Sequence, residues 1–131
     1  MTDTTGLEAR AARLRALDDE LHAAPRDERA TLAAEHHRLL AETTGPYLRV
    51  IEELRAGDAS SADVAIHYLE QRPRFHRSGY LAVSLMRALA RADLDRRTRE
   101  RFLAAVRVIA AEPPSRESHV ARLIVERAEI R

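Results

Sequence analysis

Residues 78–90, Ser-Gly-Tyr-Leu-Ala-Val-Ser-Leu-Met-Arg-Ala-Leu-Ala, restrict what this chain can fold into more than any other stretch. At 3.6 residues per turn apolar side chains fall on every side of it, and Arg87 is its single charge. A helix formed here has no face suited to water and is expected to lie enclosed by other helices.

The rest of the chain supplies the covering helices. Leu7, Ala11, Leu14, Leu17 and Leu21 recur at helical spacing ahead of Pro25. A second helix is predicted from an Asp27 N-cap, with Leu32, His36, Leu39 and Leu40 on one side, stopping at Thr43-Thr44-Gly45-Pro46, where Gly can take a left-handed cap and Pro forbids continuation. Tyr47, Leu48, Ile51 and Leu54 mark a third helix that ends on Gly57. Ser60 and Asp63 resemble a capping box for a fourth. After Pro73 comes the enclosed fifth helix, then a sixth from near Asp95 and a seventh capped by Ser115 beyond Pro113-Pro114. The expectation is an all-α domain over residues 1–131, of about seven helices stacked as antiparallel hairpins around the buried helix 78–90. An acidic hairpin over residues 6–45 precedes an Arg-rich array over residues 46–131.

A faint repeat runs through this pattern. Tyr47-Leu48-Arg49-Val50 matches Tyr80-Leu81-Ala82-Val83, and Tyr68-Leu69 matches Phe102-Leu103. Helix hairpins recurring in this way resemble the HEAT-like and armadillo-like class of stacked repeats, in which each hairpin buries its apolar side against the next. The resemblance rests on pattern with no family motif, and it carries over no functional residue. It implies a short α-solenoid-like array that binds proteins or nucleic acids.

Charge is distributed unevenly. Residues 1–71 hold 8 Arg against 14 acids, and residues 72–107 hold 10 Arg against 3. Every base is Arg, the residue whose forked donors match carboxylate and phosphate. The loop over residues 72–77 brings Arg72, Arg74, His76 and Arg77 to the start of the enclosed helix, where Ser78 offers a hydroxyl and Gly79 allows close approach. Unpaired amides and the positive end of the dipole attract anions at such a place. The plainer reading is a solvated linker whose arginines pair with the acidic first hairpin. Arg96, Arg97 and Arg101, with Arg99 and with Arg87, Arg91 and Arg107, form a second basic group, read either as a phosphate-tracking stripe or as a solvated or protein-pairing face.

Other chemistry finds little support. The chain has no cysteine, which excludes disulfides and thiolate zinc sites. Glu35-His36-His37 lacks metal-ligand spacing, because adjacent histidines on a helix point about 100° apart. His67, His76 and His119 are the candidates for a small enzyme with a His-based site, yet no catalytic set accompanies them. No catalytic residue, metal or cofactor is assigned. Residues 80–86, the longest apolar run, are too few to cross a membrane, and the polar start Met1-Thr2-Asp3-Thr4-Thr5 does not resemble a signal peptide. The expectation is a soluble, cytoplasmic, bacterial accessory or inhibitor-like protein, not an enzyme, that binds an acidic protein partner through its arginines. The same basic surface also suits nucleic acid, and unlike charge on the two halves suits a homodimer.

Overall fold

The computed structural model describes residues 6–130; residues 1–5, on which the absence of a signal peptide was argued, lie outside them. Six helices and no strand are found among the described residues: α1 (Leu7–Ala23), α2 (Arg26–Arg55), α3 (Ala62–Gln71), α4 (Ser78–Arg91), α5 (Arg96–Ala110) and α6 (Arg116–Ile130). Most follow the expected boundaries. Asp95 caps α5 by accepting the Thr98 N–H at 2.8 Å, and the Ser115 hydroxyl caps α6 by accepting the Ser118 N–H at 3.1 Å.

The principal departure is at Pro46, where two expected helices are one. The buried residues of α2 are His36, Thr43, Tyr47, Val50, Ile51 and Leu54, a helical period that runs unbroken through the proline. Pro46 leaves the carbonyl of the exposed Glu42 without its intrahelical donor. Just upstream, the Thr43 and Thr44 hydroxyls donate to the Leu39 and Leu40 carbonyls at 2.7 and 2.9 Å. Burial of one continuous face outweighs the local preference to stop. This leaves six helices instead of about seven. Two caps also differ. The α2 helix starts at Arg26, directly after Pro25, with Asp27 in its first turn. The Ser60–Asp63 box is absent: α3 starts at Ala62, Asp58 accepts the Ser60 N–H at 3.0 Å, and Ser61 donates to Glu53 at 2.7 Å.

The α4 helix occupies the middle of the packing, against α2, α3 and α6. Ser78, Leu81, Ala82, Val83, Leu85, Met86, Ala88 and Leu89 are buried on it, and residues from all six helices join one apolar cluster. It is not dry on every side. Tyr80 is 62% exposed and Arg87 and Arg91 are exposed, so a narrow stripe of α4 reaches water at the spacing i, i+7, i+11. Tyr80 therefore does not anchor the preceding loop as Phe75 does, at 8% exposure. It lies instead under the Arg116 guanidinium, 5.6 Å from its ring centre. Its sequence counterpart Tyr47 is 1% exposed, edge-on to Tyr68 with centroids 4.8 Å apart. No described helix is long and apolar enough to cross a membrane.

Continuity of α2 makes a prediction. Pro46→Ala restores a backbone donor inside a helix, and thermal unfolding should show a gain of up to about 3 kcal/mol. A loss of stability would mean that this position favours a break.

Candidate functional site

The α3–α4 loop holds its shape through two non-glycine residues in the left-handed region, Arg72 (φ 49°) and Arg77 (φ 64°), each costing roughly 1–2 kcal/mol in backbone strain. Arg72 is held there by its side chain. Its guanidinium ion-pairs with Glu112 and Glu117, in the connection before α6 and in the first turn of α6, and is only 14% exposed; Glu117 is 13% exposed. Arg74 adds contacts to Glu117 at 3.5 Å and to Glu112 at 4.0 Å. The Glu117 carboxylate lies so close to the start of α4 that a Cβ on Gly79 would sit 2.6 Å from its Oε1. A carboxylate of the chain itself thus lies beside this helix N-terminus.

Backbone and hydroxyl groups around Ser78 are also engaged. Ser78 is buried; its N–H donates to the Phe75 carbonyl and its hydroxyl accepts the Phe75 N–H. The Tyr68 hydroxyl donates to the Ser78 carbonyl at 3.1 Å. Burial, with Tyr47 beside it, pushes the Tyr68 phenol above its ordinary value and keeps that donor in place. His76 is exposed and meets the buried His36 of α2 edge-on, ring centres 6.0 Å apart. No cluster of three metal-ligating side chains forms among the described residues. From α1, Arg15 donates to the Arg74 carbonyl. Arg72 and Arg74 therefore find their carboxylates near the far end of the chain, Arg77 is exposed with no ion pair among the described residues, and the first hairpin contributes a donor and a ring.

The second expected group is divided. Arg101 bonds Glu70 at 2.7 Å and Asp63 at 3.3 Å, both on α3. Its hydrogen bond holds the Glu70 carboxyl below its usual range. Arg96 makes an exposed pair with Glu100, worth little in water. Arg97 is exposed, with no ion pair drawn to it among the described residues. The first group lies at the N-terminal end of α4 and the second follows the opposite end, so the eight residues do not converge. His67, His76 and His119 occupy α3, the loop and α6 and form no shared polar contact.

What does converge is a different set. Where the C-terminal end of α4 meets the start of α5 and the last turns of α6, a groove of about 960 Å³ opens over Phe102, Leu103, Val120, Leu123 and Ile124. Arg87 and Arg91 of α4, Arg99 of α5 and Arg127 of α6 border it, with Asp93 the acid among them. A second depression of about 760 Å³ adjoins it through Arg87, Arg91 and Asp93 and reaches Arg55 and Gly57 at the end of α2. None of these five arginines makes an ion pair or side-chain hydrogen bond within the described residues. Three of them, Arg55, Arg91 and Arg127, sit in the last turns of α2, α4 and α6, where helix dipoles favour cations. The sequence carried one signal of the groove: Arg87 and Arg91 are like charges one turn apart on α4, an unfavourable pair with no acid on that helix.

Two measurements check this division of charge. Arg72→Ala leaves the partly buried Glu112 and Glu117 carboxylates to the more exposed Arg74 and should cost about 1–3 kcal/mol in chemical denaturation. Gly79→Ala should give a smaller loss that shrinks in the Arg72→Ala background, because both act through Glu117. In acid, Glu70, Asp95 and Asp58, all held below the ordinary carboxylate range by hydrogen bonds, contribute stability that is present above that range and lost as pH falls through their folded values. The melting temperature should drop below about pH 4, less steeply in Glu70→Gln. No protein-family model, curated protein or solved structure matches this chain, so what it does is read from its own groove and ion pairs.

Proposed function

We propose that this chain is a non-enzymatic binding module, adaptor-like or inhibitor-like, that takes an acidic protein partner at the basic end formed by α2, α4, α5 and α6. The observation that carries this reading is an apolar floor bordered by arginines that the chain itself leaves unpaired, while Arg72, Arg74 and Arg101 are matched to carboxylates. Unpaired guanidinium groups beside exposed apolar surface, Leu123 at 42% exposure among it, are the composition of a protein interface: apolar at its core, with Arg enriched. Phosphate backbones would meet the charge but leave the floor uncovered.

The hairpin-array reading agrees with the packing order. α2, α4 and α6 touch in succession and α3 touches α5, the row contacts of a short HEAT-like stack, whereas α4 and α5 do not pack closely as hairpin partners. Binding across the ends or rows of stacked hairpins is the usual use of that architecture.

The test is affinity capture from a nuclease-treated lysate of the native host, with captured proteins identified by mass spectrometry. Wild type and Arg96→Ala should retain the same acidic partner, and Arg87→Ala/Arg91→Ala should reduce its binding at least tenfold with unchanged circular dichroism. Retention by the double variant, or recovery of nucleic acid alone before nuclease treatment, would overturn the reading.

A further inference from the structure

We infer that the partner segment is an amphipathic α-helix carrying an apolar stripe with acidic side chains on both sides of it. This rests on the binding role proposed above and specifies the shape of what is bound. The arginines come from three different elements, Arg87 and Arg91 on α4, Arg99 on α5 and Arg127 on α6, and α6, which carries Leu123 and Ile124, packs against both α4 and α5. A ligand complementary to this pattern needs apolar groups in the middle and carboxylates at both flanks.

Secondary structure decides which peptides can present that pattern. In a strand, alternate side chains point to opposite faces, so acids placed between apolar residues point away from the floor. In a helix, apolar residues at i, i+3, i+4 and i+7 form a stripe, and the positions beside it point sideways towards both rims. Dimensions agree. The adjoining depression extends the seat across the ends of α2, α4 and α6. At 8–10 Å between axes that is about 16–20 Å, the length of about 11–13 helical residues.

Charge favours an acidic occupant after the opposing dipoles are counted. Five arginines and Asp93 border the combined trough. With about half a negative charge for each of three helix C-termini, and half a positive charge for the start of α5, about +3 remains.

Fluorescence anisotropy with the full chain and three labelled 16-residue peptides of equal composition tests the inference. One carries a Leu stripe flanked by Glu, one scrambles the stripe, and one keeps the stripe but moves the peptide's single Pro from its end to its centre. The stripe peptide should bind at least tenfold more tightly than either control. Its affinity should fall with added salt, and drop at least tenfold in Leu123→Asn and in Arg87→Ala/Arg91→Ala, with melting temperatures within a few degrees of wild type. If the scrambled or Pro-centred peptide binds as well, the helical partner is refuted and the acidic-partner reading survives. If no peptide binds at low salt, or a single-stranded oligonucleotide of equal charge binds more tightly than all three, both readings fall.

Discussion

The Glu117 carboxylate, packed between the Arg72 guanidinium and the start of α4, is the contact on which the rest of the structure depends. It ties the α3–α4 loop to the α5–α6 junction across 45 residues of chain. It also sets a negative charge beside the positive end of the dipole of α4, whose first N–H groups donate to the Phe75 and Arg77 carbonyls. Gly79 leaves room for it, since a Cβ there would make the Glu117 side chain shift. So does the left-handed backbone at Arg72, which costs energy locally and is held in place by the carboxylates its side chain reaches.

A consequence is that the two ends of α4 differ in character. At its N-terminal end the arginines are matched by Glu112 and Glu117 and partly withdrawn from water. About 14 and 20 Å along the axis from Ser78, at 1.5 Å per residue, Arg87 and Arg91 face solvent with no carboxylate bonded to them among the described residues. The same residue type therefore serves cohesion at one end and is available for recognition at the other. Between them α4 buries eight side chains, so the two ends are held at a fixed separation by the packed core.

Pro46 shows the same dominance of packing over local preference. Gly45-Pro46 reads as a helix stop because proline removes a donor and disfavours the preceding helical turn. Yet Thr43, Tyr47 and Val50 sit on one buried stripe, at 2%, 1% and 0% exposure. A break there would turn part of that stripe to water, and burying three such side chains outweighs the roughly 3 kcal/mol of an interior proline.

Helical periodicity was legible in the residues themselves, and with it the all-α class, the helix start near Asp95, the cap at Ser115 and the burial of most of residues 78–90, because each depends on neighbours within a turn or two of chain. The excess of arginine over residues 72–107 was equally plain. Which arginines were spoken for was not. Arg72 with Glu117 and Arg101 with Asp63 are pairs separated by 45 and 38 residues, and ion pairing at that separation is set by how helices pack. The groove likewise belongs to no single segment: its floor and rim come from α4, α5 and α6, which only the tertiary fold brings to one end of the molecule.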